Sequence, residues 1–228
     1  MSKTFKKGAI MNKRTGFTLA EVLITLGVIG VVAAMTLPTL IKEYQKHVWV
    51  NQLKKSVSTI ENGFKMAMAE DEVDNLADTE LFKSLNNSNY NGNSNNVVFE
   101  NNLKKYFKFV TIENTSKPPY KTLNNPSAPP FGVSKEMIFT DGSSLVFFNN
   151  GPNGHFFANN NPVADLVIDV NSTSQKPNMY GRDVFLLNFS DKGNVNATFG
   201  HPQNCGTTSD GGFSCGSYLI QNGWKMDY

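Results

Sequence analysis

Residues 22–41 carry no charged side chain. Built as an α-helix at 1.5 Å per residue, this stretch is about 30 Å long, which matches the hydrocarbon thickness of a bilayer. It can span a membrane. Five basic residues, Lys3, Lys6, Lys7, Lys13 and Arg14, precede it, with no acid among the first sixteen positions. Under the positive-inside rule that end stays cytoplasmic and everything after the stretch lies on the opposite face. An ordinary secretory signal has a shorter apolar region with small residues at a cleavage site behind it, and loses that region on cleavage. Here Asn12, Lys13, Arg14 and Thr15 lead to Gly16, and the apolar stretch opens at once with Phe17. A cut at Gly16 leaves the apolar helix on the mature protein. A start at Met11 instead of Met1 gives a leader of six residues.

Glu21 sits near the start of this apolar stretch. A charge within a membrane segment costs on the order of 2.5–3.5 kcal/mol even on lenient scales, and is normally paired. Cleavage after Gly16 creates a partner, the cationic α-amino group of Phe17, one helical turn away. The pair can form within one chain. Helices offset along a fibre would instead let Glu21 meet the amine of a neighbour, and that pairing would fix the register of assembly.

The run Lys13-Arg14-Thr15-Gly16-Phe17-Thr18-Leu19-Ala20-Glu21-Val22-Leu23-Ile24 resembles the processing and methylation motif of type IV prepilins and type II secretion pseudopilins. The resemblance covers roughly the first fifty residues. It implies that a prepilin peptidase cuts between Gly16 and Phe17 and methylates the new Phe17 amine, that Glu21 guides subunit docking, and that Pro38 stands where the family often kinks its helix. It further implies copies of the chain or other pilins as partners, together with an inner-membrane assembly platform. The location implied is the bacterial inner membrane, single-pass, with the head periplasmic or extracellular, followed by a pilus or pseudopilus.

Beyond Lys42, Trp49, Leu53, Val57, Ile60, Phe64 and Met68 recur at steps of four, four, three, four and four, with Lys54, Lys55 and Glu61 elsewhere on the helix. This predicts an amphipathic continuation packed on a sheet. Pro38 lacks a backbone donor and should loosen or kink the helix on the way. Gly27 and Gly30 permit close approach of another helix. Short helices are expected at residues 79–85 and 103–107. The prolines Pro118, Pro119, Pro126, Pro129 and Pro130 argue for an irregular loop, and the Asn-rich tract 86–96 for another. Strand signals follow at 137–140 and 145–148 around the turn 141–144, then at 166–170, and at 184–189 and 195–199 around the turn 191–194. The expected fold is α+β: a pilin-like long N-terminal helix packed on an antiparallel sheet. The expected layout is a leader over 1–16, a membrane and assembly helix over 17–41, its amphipathic continuation over 42–69, and a globular head over 70–228.

The net charge is +2, from 21 basic and 19 acidic residues; setting the five leader cations aside leaves sixteen against nineteen, or −3. That mild acidity gives no footprint for nucleic acid. Cys205 and Cys215, the only cysteines, suit one local disulfide in an oxidising compartment better than a metal cage. A staple of this kind occurs in many pilins. Asp165, Asp169, Asn171 and Asp183 bracket an oxygen-rich loop. They can supply turn hydrogen bonds or ligands for calcium, which some secretion pseudopilins hold in a C-terminal loop; the spacing does not match an EF-hand. The stretch from Asp169 to Phe185 also looks like one common in bacterial pilin-like heads. No other cofactor is implied. His47, His155 and His201 are scattered, and no Gly-x-Ser-x-Gly or metallohydrolase motif is present, so no catalytic apparatus is expected. The resemblance implies a structural subunit of a type IV pilus or a type II secretion pseudopilus. The alternative is a minor pilin whose head is adhesive or binds DNA.

Overall fold

The computed structural model describes residues 16–86, 97–114, 120–124, 133–148, 164–197, 200–207 and 209–228. The chain divides into two compact units, Met1–Tyr44 and Gln45–Tyr228, and the helix α1 (Leu19–Glu70) contributes residues to both. In the first unit α1 continues through Pro38 without interruption. Its large apolar side chains are exposed all round, from Leu19 to Ile41.

In the second unit, α1 is followed by α2 (Glu80–Asn86), α3 (Val97–Tyr106), the strands β1 (Phe109–Asn114), β2 (Val133–Phe139), β3 (Ser144–Phe148), β4 (Ala164–Asp169), β5 (Val184–Phe189) and β6 (Val195–Asn196), and α4 (Cys215–Gln221). The six strands form one antiparallel sheet in sequential order. The fold is α+β, with α1 packed on an antiparallel sheet. Trp49, Leu53, Val57, Ile60 and Phe64, five of the six stripe residues, are buried in the core, and Met68 packs against its edge.

Strand alternation divides the interior between the two faces of the sheet. Leu145, Leu166, Ile168, Phe185, Leu187 and Phe189 point into the cluster that holds the α1 stripe. Val146, Val167, Val184 and Leu186 point the other way, into a second cluster closed by Tyr120 and Tyr180 with Phe213 against it. A sheet covered on both faces favours strands that are apolar at nearly every position, and every residue of β5, the polar Asn188 included, is buried. Phe64 joins the helical and strand layers. Its ring meets those of Phe82, Phe107 and Phe189 edge to face, with centroids 5.5, 6.0 and 5.4 Å away.

The two hairpins expected from the sequence are present. Asp141 accepts from the Ser143 amide in the β2–β3 turn, and Gly193 turns the chain between β5 and β6 at φ 72°. A Cβ on Gly193 would sit 3.1 Å from that of Phe64, so glycine serves both the turn and the close packing there. The Glu61 carboxylate accepts from the Val195 amide at 2.7 Å, tying this hairpin to α1. Three differences from the sequence reading stand out. β1 and α4 lie where no element was expected, and α3 begins six residues before the helix read at 103–107. The strand read at 195–199 is a two-residue strand, Val195–Asn196, and residues 198–199 lie outside the described residues. Most of the proline-rich segment and of the Asn-rich tract also lies outside them.

Candidate functional site

In the first unit, Gly16, Phe17 and Thr18 precede the helix, and Phe17 is 88% exposed. The helix opens on a reciprocal cap. The Thr18 amide and hydroxyl both donate to Glu21 Oε2, at 2.8 and 2.9 Å, and the Glu21 amide donates back to the Thr18 hydroxyl at 3.2 Å. This is a capping box, in which a Thr and a Glu three residues on satisfy amides that the first helical turn leaves without partners. Glu21, expected from the sequence to await an amine, therefore already has a local partner. The Thr18-x-x-Glu21 spacing was the signal that would have revealed a local partner. Both bonds onto the carboxylate use Oε2, which leaves Oε1 available.

The 52-residue α1 contains a segment long and apolar enough to cross a membrane, by length and composition. Nothing lies within 4 Å of the position a Cβ would take on Gly27 or Gly30. Both positions are open to a neighbouring helix.

In the second unit, the oxygen-rich loop after β4 is held by three buried carboxylates. Asp183 accepts from the Asn178 and Met179 amides, one on each oxygen, both at 2.8 Å. Asp169 Oδ1 accepts from the Asn171 amide at 3.1 Å. Glu136, from β2, accepts the Thr173 hydroxyl at 3.0 Å. The Asn178 side chain donates to the Thr173 carbonyl at 2.8 Å, and the Val170 amide donates to the Asp183 carbonyl at 2.9 Å. Ser172 and Asn178 adopt left-handed backbone conformations, at φ 71° and 54°. A non-glycine residue in that region costs of order 1–3 kcal/mol and persists only where its surroundings over-determine it. The three carboxylates and the Asn178 amide provide those surroundings.

Asp169 and Asp183 are both 0% exposed and Glu136 is 3% exposed. Burial pushes the Asp169 carboxyl well above the usual carboxylate range, and the neighbouring Asp183 charge adds to the rise. Burial also raises Asp183, against the pull of the Met179 and Asn178 amides. Asp169 Oδ2 and the facing Tyr120 hydroxyl do not reach hydrogen-bonding geometry. Of the four residues read as calcium ligands, Asp169, Asn171 and Asp183 are thus brought together in this loop. Asp165 pairs with Asn188 in the β4–β5 ladder, and its side chain lies outside the described residues. Among the described residues no group of three or more His, Cys, Asp and Glu could hold a metal ion. The loop uses its carboxylates to hold its own backbone. Sequence alone did not single out Glu136, which lies 37 residues from Thr173.

Cys205 and Cys215 are joined by a disulfide. Cys215 is fully buried at the start of α4, so the staple fastens the C-terminal helix to the loop before it.

No curated protein and no solved structure matches the chain. Residues 11–37 match the prokaryotic N-terminal methylation motif, the prepilin-type motif of type IV pilins and pseudopilins. Residues 39–206, well over half of the chain, match a family of unknown function (DUF6613). The protein is therefore a member of that family, with a prepilin-type methylation motif at its N-terminus.

Proposed function

We propose that the chain is a structural subunit of a helical filament, a type IV pilus or a type II secretion pseudopilus, cleaved between Gly16 and Phe17 and assembled through α1. The observation that carries this reading is the helix start: an exposed Phe17, a Thr18–Glu21 cap and an apolar surface with no polar face follow one another without a break. The working layout is a leader to Gly16, a membrane and assembly helix over 17–41, its continuation over 42–69 and a head over 70–228. Prepilin peptidase and an inner-membrane assembly platform are the partners this reading requires, with the leader cytoplasmic and the head on the far side.

Removing the leader turns the Phe17 nitrogen into a cation one residue before the cap. The cap holds Glu21 through Oε2 and points the carboxylate along the helix start, which lowers the cost of carrying this acid in lipid. Oε1 then receives the amine of a neighbouring copy and sets the register between helices. Replacing Glu21 by Ala should leave cleavage intact and abolish filament formation, read by immunoblotting for the processed form and by filament shearing. Normal filaments from that variant would refute the pairing.

A further inference from the structure

Between the middle of α1, the end of α3 and the β2–β3 turn lies a groove of about 480 Å³. Four lysines line it, Lys55, Lys104, Lys105 and Lys108, against one acid, Asp141. The chain beyond the leader is net acidic, so this groove concentrates the minority charge. Two of the four lysines are already neutralised. Lys55 pairs with Asp141 at 2.9 Å, and Lys105 with Glu70 at 3.0 Å. Lys104 and Lys108 are exposed, and neither forms an ion pair among the described residues.

The opposite charge collects on the turn that follows α1. Glu72, Asp74 and Asp78 are exposed there, and Glu72 is held in a left-handed conformation at φ 53°. Nearby acids are engaged: Asp71 accepts from the Glu80 amide at 2.7 Å, and Glu80 faces Lys83. Lys192, which reaches the turn from the sheet side, donates to the Asp74 carbonyl. The side chains of Glu72, Asp74 and Asp78 have no ion-pair partner among the described residues.

Lys105 and Glu70 meet where the two patches adjoin, but Lys104 and Lys108 on one and Glu72, Asp74 and Asp78 on the other have no ion-pair partner among the described residues, so one molecule carries unlike surfaces that only partly satisfy each other. A contact between unlike patches on identical molecules is heterologous, and when its rotation does not close it propagates as an open helix. We propose that the lysine groove receives the acidic turn, Glu72, Asp74 and Asp78, of a second copy of this chain. This deepens the filament reading, on which it rests, by naming a heterologous contact between globular parts of neighbouring copies in addition to the one made by the apolar helices. Complementary charge at an exposed contact chiefly fixes orientation and register, and salt should weaken it, because the lysines are solvated.

The test uses the full-length mature protein in lipid vesicles, carrying Lys108→Cys and Asp74→Cys together, with mild oxidation. A heterologous contact predicts a ladder of cross-linked species from this chain, and monomer from either single substitution. Charge reversal by Lys104→Glu in this background should cut the ladder about tenfold. Adding Glu72→Lys should restore it, which a merely misfolded variant would not do. No ladder, or dimers alone, overturns the proposal, as does failure of the paired reversal to restore cross-linking while the near-UV spectrum stays native. Filaments that form in cells without this cross-link would sink the contact and leave the filament reading standing. A vesicle ladder without filaments in cells would do the reverse.

Discussion

Leu26 and Ile29 are 61% and 63% exposed, whereas Leu53 and Ile60, further along the same helix, are completely buried. The backbone is the same and the side chains are of the same kind. Their arrangement differs. In residues 22–41 apolar side chains occupy every side of the helix, so no polar face remains to meet water and the surface needs lipid or other copies around it. In residues 49–68 the apolar positions, exposed Met66 apart, form a single stripe, and the sheet covers it within the second unit. On the proposed reading the first stretch serves assembly and the second serves folding, which means that substitutions in the two should have separable consequences.

The largest effect on stability should come from Phe64→Ala. Its ring meets three other aromatic rings, and removing a buried Phe costs about 3–5 kcal/mol. Urea unfolding of the full chain in detergent measures this. Ile29→Ala should move the same transition by less than about 0.5 kcal/mol while weakening filament formation. Equal losses from both would erase the distinction drawn here.

Opening the disulfide should cost about 2–4 kcal/mol. Reduction of Cys205–Cys215 acts only on the second unit, so it should lower that unfolding transition and leave the helicity of the apolar stretch unchanged by circular dichroism.

A smaller effect, with an unusual sign, is expected at Asp169. Its carboxyl is pushed up by burial and by Asp183, and Asp183 is itself raised by burial. The folded state therefore holds these protons more tightly than the unfolded chain, whose aspartates titrate near about 3.9. The contribution of these two groups to stability is fully present below that value and is lost as pH rises through their folded-state values. The other ionisable groups facing Asp169 are Glu136 and Tyr120 and Tyr180, none of them cationic. Asp169→Asn should flatten this decline and raise the melting temperature at neutral pH relative to the unsubstituted protein. A variant that keeps the full slope would exclude Asp169 as its source, and stabilisation of the native chain by added calcium would show a cation acting where the account places a proton.

The contrast along α1 was largely legible in the sequence, because helical periodicity is local information: the uncharged run and the steps of three and four appear within one segment. The hairpins were legible for the same reason, through Asp141-Gly142 and Lys192-Gly193. What escaped depends on distance. The second core cluster gathers Tyr120, Tyr180 and Phe213 from segments that read as loops. The strand β1 carries a bulge that skips Val110 and leaves that side chain 69% exposed, which spoils simple alternation. In α4, Gly216 is buried where a Cβ would come within 2.5 Å of the Leu186 carbonyl, a contact thirty residues away in sequence that no local pattern announces. At the helix start the prepilin-type motif was visible in the sequence, while the Thr18–Glu21 cap needed the helix boundary to be recognised as one.

Mass spectrometry of the form isolated from its native membrane reads the N-terminus of the working protein. The account predicts a chain that starts at Phe17 and carries one added methyl group on its amine. A chain still starting at Met1 or Met11, or one starting beyond residue 41, would contradict it.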